Sequence, residues 1–298
     1  MKLVLHAGTQ KTGTTSIQTV LSNDRAWLRE RGLIYPDGTG VYSPKAPLKA
    51  HHEFARSFTG IYPGEIARAG RFLDSIRVQP ASPRDVIVLS AENVYRHIQG
   101  YDHWQGFSEP DYWVRREGYL RLLAQALQDF EVKVLLFFRE RQSAARSLYA
   151  ELVHRKKFWQ GSPAEFVQQF YNWFEYEQQI AMFKAVFPDI CVSSYERATE
   201  DGLVKTFFRI IEFPMPPNAD HIWKRRTPQD IDVSNVELPA SFIARPTSDL
   251  SRRIVAHSRL ASTIDLACTT FYKTAASVKR FLRARRAQAL GQTGAHSD

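Results

Sequence analysis

The sequence predicts an α/β protein, a three-layer α/β/α sandwich with a central parallel sheet. Short continuous apolar runs recur at Leu3-Val4-Leu5 and within 85–90, 132–138 and 190–194. Strands that are apolar on successive residues are buried on both faces, as in parallel sheets. Stretches with helical spacing of apolar residues separate these runs, the alternation expected of βαβ units. The 298 residues, 44% of them hydrophobic and 24% charged, suffice for one large domain with a substantial core.

Taken in order, residues 2–7 read as the first strand and His6 to Gln18 as a glycine/threonine turn into a helix. That helix runs from Thr14 to Arg31, with Ile17, Val20, Leu21, Trp27 and Leu28 on one face and Gly32 as its stop. Leu33-Ile34-Tyr35 is a short second strand closed by Pro36-Asp37-Gly38. Helical stretches are expected at 51–58 and 64–78, and Pro80 and Pro83 break the second. After the strand at 85–90, residues 100–113 read as an irregular loop and 115–129 as a helix. The strand at 132–138 leads into a helix reaching Lys156, and 163–187 reads as one further helix ended near Pro188. The last strand, 190–194, precedes a helix at 200–212 and a Pro/Asn/Asp-rich loop from Pro214 to Thr247. Helical spacing returns at 249–290, and 291–298 reads as a disordered tail.

The formal net charge is +9, but nine of the Lys/Arg residues fall within 251–290 against one acid, Asp265. The first 250 residues are therefore close to neutral, and the basic character belongs to the C-terminal segment. That segment reads as an outer amphipathic helix, with peripheral contact to an anionic membrane as the sharper alternative. No nucleic-acid recognition motif accompanies the charge, so no nucleic-acid partner is expected. Cys191 and Cys268 lack metal-ligand spacing and read as buried thiols of a reducing compartment. With no charged leader before the first strand and no apolar run of about 18 residues, the expectation is a cytoplasmic chain, at most peripheral at the inner face of a membrane.

The chemistry concentrates at HAGTQKTGTTSIQ. A strand, a glycine turn and a helix start together aim backbone N–H groups and a helix dipole at one point, which makes an anion site. Gly8 and Gly13 permit the tight path. Thr9, Gln10, Thr12, Thr14, Thr15 and Ser16 line it with polar groups, and Lys11 supplies charge. A loop for Mg-ATP places its lysine directly after the second glycine and takes an acidic residue from another strand. Here Thr14 follows Gly13, and none of the later strands ends in an aspartate. The loop thus suits a phosphate-like group without an obligatory metal. A second stretch, KVLLFFRERQSAARSLY, ends a strand at Arg139 and carries Ser147 two turns into the next helix. A guanidinium and a hydroxyl so placed can grip a second, separate phosphate.

Together these residues resemble the sulfotransferases that use 3′-phosphoadenosine 5′-phosphosulfate. Their opening loop, G-x-x-K-[ST]-G-[ST][ST], is matched throughout by Gly8 to Thr15. Their arginine and serine eight residues apart, with an aromatic two beyond, are matched by Arg139, Ser147 and Tyr149. Arg141 replaces the proline commonly found two residues after that arginine. The resemblance implies a P-loop NTPase-like sulfotransferase domain at 1–248, with matches from Met1 to about residue 215. A basic helical extension at 249–290 follows it. The implied donor is 3′-phosphoadenosine 5′-phosphosulfate, used without a metal. Lys11 and the loop would hold its 5′-phosphosulfate, and Arg139 and Ser147 its 3′-phosphate. Lys224, Arg225 and Arg226 stand where the family often places a further 3′-phosphate contact. Leu33-Ile-Tyr-Pro36, His51-His52, Val88-Leu-Ser-Ala-Glu92-Asn93 and Ser194-Tyr-Glu196 resemble bacterial members acting on carbohydrates, implying a carbohydrate or glycoconjugate acceptor.

Three groups are candidates for the base that takes the acceptor proton: Glu92, just past a buried strand, then His52 and His51 after the second strand. The alternative for Glu92 is a carboxylate that caps a loop or pairs with Arg96, and for the histidines an exposed polar pair. His6, on the first strand, reads as packed against the sheet. The aromatics Tyr101, His103, Trp104, Phe107, Tyr112 and Trp113 are either a sugar platform or local loop packing. A small-molecule P-loop kinase and a non-catalytic nucleotide-binding protein are the competing functions.

Overall fold

The computed structural model describes residues 1–42, 47–102, 104–155, 158–219 and 236–243. Lys224, Arg225, Arg226, His103, Cys268 and the segments 249–290 and 291–298 lie outside the described residues. The described elements all fall within a unit spanning Met1–Ser248.

The chain runs β1 (Lys2–His6), α1 (Thr14–Asn23), α2 (Arg25–Glu30), β2 (Leu33–Ile34), α3 (Pro47–Arg56), α4 (Glu65–Arg77), β3 (Val86–Ser90), α5 (Asn93–Arg96) and α6 (Tyr112–Ala126). It continues with β4 (Glu131–Phe138), α7 (Arg141–Ala150), a π-helical stretch (Glu151–Arg155), α8 (Pro163–Gln169), α9 (Tyr176–Val186), β5 (Asp189–Ser194), α10 (Tyr195–Glu200), α11 (Leu203–Ile210) and α12 (Ala240–Ile243). The five strands form one parallel sheet in the order β2-β3-β1-β4-β5. The three-layer expectation holds, and each predicted strand is present to within a residue or two.

Helix limits differ more. The first helix breaks at Asp24, whose backbone N–H still reaches the Val20 carbonyl at 3.0 Å while the chain turns into α2. The stretch 163–187 is not one helix. It is α8, a 3₁₀ turn at Tyr171–Phe174 and α9, because Trp173 and Phe174 turn inward together and bury completely. The helix expected at 200–212 is α11, which starts after Gly202 at φ 92°, and α10 precedes it at Tyr195–Glu200.

Both faces of the central strands are covered. Val4, Val88, Leu135 and Phe137 meet Ile17, Val20, Leu21, Leu203 and Phe207 on one side. On the other, Phe138 meets Tyr95 of α5 and Tyr176 of α9. Cys191 of the edge strand β5 is a free thiol whose pKa burial raises. No described helix is long and apolar enough to cross a membrane.

At the C-terminal end of β3, Ser90 gathers three elements through all its polar groups. Its N–H donates to His51 Nδ1 at 3.0 Å, its carbonyl accepts from Gln18 Nε2 at 2.9 Å, and its Oγ meets His6 Nδ1 at 2.8 Å. His51 Nε2 in turn lies 2.6 Å from the Pro36 carbonyl. Since Nδ1 accepts, Nε2 carries the proton and donates. Three of the short motifs carried by the family resemblance therefore converge on one buried knot. His6 packs against the sheet as expected, edge-on to Phe137.

Burial keeps both histidines neutral, lowering His6 from 6.5 to about 3 and His51 to about 4. The unfolded chain takes up these protons near pH 6.5, while the folded chain resists them until about pH 4 for His51 and about pH 3 for His6. Stability from this source is complete above about pH 6.5 and is lost as pH falls through that window. Urea midpoints measured from pH 7.5 to 4.5 should fall on acidification, and a His51→Leu variant should start lower by about 2–4 kcal/mol because it leaves two buried backbone groups unpaired.

Candidate active site

The C-terminal ends of β1, β3, β4 and β5 lie along one edge of the sheet, and β1 is where the strand order reverses. Such a point is where open α/β sheets bind ligands. Past β1 the backbone stays against β4: Ala7 N–H donates to the Leu135 carbonyl and Thr9 N–H to the Phe137 carbonyl, both at 3.0 Å. Gly8 suits that approach, since a Cβ there would come within 3.1 Å of the Phe137 backbone and press the strand aside. Thr12 Oγ1 closes the turn on the Thr9 carbonyl at 2.6 Å. Lys11 and Gly13 are both left-handed, at φ 69°, and Gly13 precedes the first residue of α1.

The loop has the character of a ligand cradle. The Gln10 side chain is buried with both amide atoms unpartnered among the described residues, and the Thr14 hydroxyl is likewise buried and unpartnered. Unpartnered buried atoms occur elsewhere too, at Ser22 and Trp173 for example, but here they lie in a turn whose N–H groups and helix start favour an anion. Gln10 Nε2 and the Thr14 hydroxyl can donate to a phosphate-like anion, whereas Gln10 Oε1 is an acceptor and cannot. Thr15 is exposed and Ser16 half-buried on the first turn of α1.

Arg139, at the end of β4, sits beside this loop. One guanidinium nitrogen lies 3.5 Å from the Lys11 carbonyl, Nε donates to Ser143 Oγ at 2.9 Å, and the group stacks 5.6 Å over the Tyr195 ring. The two signatures therefore converge. Ser147 is half-buried one turn beyond Ser143, and positions four apart share a helix face. The next position in that series is Glu151, whose Oε2 lies 3.2 Å from Lys11 Nζ. Ser143, Ser147 and Glu151 thus follow one another at four-residue steps along α7 into its π-helical continuation, with Arg139 just ahead of the helix and bonded to Ser143. π-Helical stretches are uncommon and gather at functional sites.

Arg141, which stands where the family commonly has proline, is buried. It pairs with Glu177 of α9 at 3.4 Å and lies over Tyr176. Glu140 caps α7 with its carboxylate on Gln142 and Ser143 N–H, and its own N–H donates to Glu196 at 2.9 Å. Glu196 also accepts from Ser194 Oγ at 2.8 Å. The Ser194-Tyr-Glu196 motif therefore buckles the ends of β4 and β5 together and presents Tyr195 to both Arg139 and Gly13.

The base candidates separate. His51 is corrected: it does not line a cleft but sits fully buried in α3, its lone pair taken by Ser90 N–H and its proton by Pro36. It has no free nitrogen with which to accept a proton. His52 and Glu92 are half-buried on α3 and at the start of α5, which pack together. Glu92 is near enough to Arg96 to favour its charged form, against the burial that lowers the Arg96 pKa; Asp102 and Glu151 act on Arg96 in the same sense. The Arg96 guanidinium also covers the half-buried Trp104 ring at 4.8 Å. Arg96, expected as a partner of Glu92, is joined by Glu151, a charged group that the motifs did not point to.

Loop packing accounts for Phe107 and Tyr112. Both are fully buried, Phe107 against Phe170, and the Tyr112 hydroxyl accepts from Gln179 at 2.7 Å. Among the described residues no group of three or more His, Cys, Asp or Glu is arranged to hold a metal ion.

No family model matches the chain, and no curated protein matches its sequence. Among solved structures, the chain is similar to a sulfotransferase from Alicyclobacillus acidocaldarius, at 15% identity and a TM-score of 0.43 over 81% of this chain and 88% of that one. It is also similar to a retinol dehydratase solved with androsterone and the inactive cofactor PAP, at 15% identity and a TM-score of 0.29 over 76% of this chain and 62% of that one. Both likenesses are loose, and the site is read from its own residues.

Gly13 provides a direct check. A Cβ at this left-handed position would overlap the Leu203 side chain, whereas one at Gly64, equally left-handed at φ 83°, meets nothing within 4 Å. Thermal unfolding should show Gly13→Ala costing more than Gly64→Ala, by about 1–3 kcal/mol.

Proposed function

We propose that the chain is a sulfotransferase that moves a sulfuryl group from 3′-phosphoadenosine 5′-phosphosulfate to a hydroxyl or amine of a carbohydrate or glycoconjugate. The observation that carries this reading is the convergence of the Lys11 loop and Arg139 at the point where the strand order reverses. One anion-binding turn is common among nucleotide-binding proteins. A turn with its lysine ahead of the second glycine, beside a second cation at the neighbouring strand end, suits a donor with two separated phosphate groups.

The roles follow from the chemistry. The loop amides, the α1 N-terminus, Gln10 and Thr14 hold the 5′ end, while Arg139, Ser143 and Ser147 face the 3′-phosphate. When bound, the donor supplies an activated sulfuryl group whose transfer leaves negative charge on a 5′-phosphate oxygen. Lys11 meets that charge, and preorganised cations of this kind account for large parts of catalysis. In this reading Glu92 or His52, both half-buried, takes the acceptor proton. The half-buried Trp104 ring supports a saccharide acceptor.

Calorimetric titration with 3′-phosphoadenosine 5′-phosphate and with Mg-ATP tests the reading. The former should bind clearly more tightly, and preferential binding of ATP would favour a kinase. In a screen of acceptor glycans with labelled donor, Lys11→Ala should lose about 10²–10³ in transfer rate with little change in unfolding midpoint. A fully active variant would remove the assigned role, and tight nucleotide binding without transfer to any acceptor would favour a non-catalytic binding protein.

A further inference from the structure

One ion pair in the site has no part in the reaction as just described. Lys11 Nζ, the group assigned to the departing phosphate, lies 3.2 Å from Glu151 Oε2, and both side chains are only 18% exposed. We propose that Glu151 is a positioning residue for Lys11, a carboxylate latch that holds the ammonium over the loop until the 5′ anion of the donor takes its place. This role rests on the sulfuryl-donor reading.

The surroundings fix which partner moves. The Glu151 backbone N–H is bonded to the carbonyls of Leu148 and Ser147, so the carboxylate stands on a formed helical turn. The Lys11 backbone is held in its left-handed turn, with Arg139 on its carbonyl. What remains free is the four-carbon stem of the lysine, the more mobile arm. Removing a cation from a half-buried carboxylate is costly unless another cation stays. Arg96 is that second cation: Glu151 acts on it, together with Glu92 and Asp102. When Lys11 exchanges to the donor, Glu151 therefore keeps a cation nearby, one it shares with Glu92 and Asp102. The latch also gives selectivity, because a nucleotide without a 5′ anion offers Lys11 nothing in return.

Two nucleotides separate this role from a structural one. Against 3′-phosphoadenosine 5′-phosphate, Glu151→Gln should bind about three- to tenfold more tightly than wild type, since the competing carboxylate charge is gone. Against adenosine 3′-monophosphate its affinity should be unchanged. Glu151→Asp keeps the charge and should stay close to wild type. In a Lys11→Ala background the gain should vanish, as a double-mutant cycle requires of a pair acting through each other. A Gln variant that binds 3′-phosphoadenosine 5′-phosphate equally or more weakly overturns the latch, as does a gain that survives Lys11→Ala. If wild type binds neither nucleotide, the donor reading itself falls and the latch with it.

Discussion

Past the end of β1 the chain must leave a strand buried on both sides and begin a helix within eight residues. The rest of the site depends on how that turn is held. Every backbone group of a buried strand needs a partner. Here the ladder to β4 continues past the strand itself, through Ala7 and Thr9, and Ala91 N–H closes on the His6 carbonyl at 2.9 Å from the other side. The loop is therefore an extension of the sheet. This is why a residue as bulky as lysine can be kept in a left-handed conformation at its tip. Strain of that kind persists only where the surroundings over-determine it.

The strand ends beside it are tied with comparable economy. Ser90 draws α1, α3 and β1 together with a single residue, and Glu196 joins β4 to β5 through one carboxylate. Buried polar networks of this sort rigidify when each member is satisfied. The short polar motifs thus have a reason to sit where they do that is independent of any acceptor: they fix the platform on which charged groups are displayed. His51 illustrates the difference. Its chemistry at neutral pH is that of a two-ended hydrogen-bond bridge, and burial holds it neutral well below its usual range.

The sheet was legible because period and burial agree. Runs such as Ile87–Leu89 and Val134–Phe138 are apolar throughout, and the structure buries them on both faces. Lys11 and Arg139 were legible because glycine spacing and strand ends are local features. What stayed hidden was set by tertiary approach. Nothing local distinguishes Glu151, which meets Lys11 from 140 positions away in the chain, and the pairing of Glu92 with Arg96 does not reveal the Asp102 and Glu151 carboxylates or the Trp104 ring that gather around that arginine. The two histidines take separate places for the same reason. Adjacent residues on a helix point about 100° apart. His51 consequently enters the core while His52 stays half-buried, and two letters that look equivalent take different parts.

The series from Arg139 through Ser143 and Ser147 to Glu151 behaves as a ruler. A helix rises about 1.5 Å per residue, so the eight residues from Ser143 to Glu151 mark off roughly 12 Å. The distance between the arginine end and the lysine end of the site is counted out in residues. A substitution along the ruler changes one graduation. An insertion or deletion of a single residue would shift the far end by one step and swing it around the axis by more than a quarter turn, carrying Glu151 away from Lys11. Over evolutionary time this segment should tolerate altered side chains while resisting any change in length.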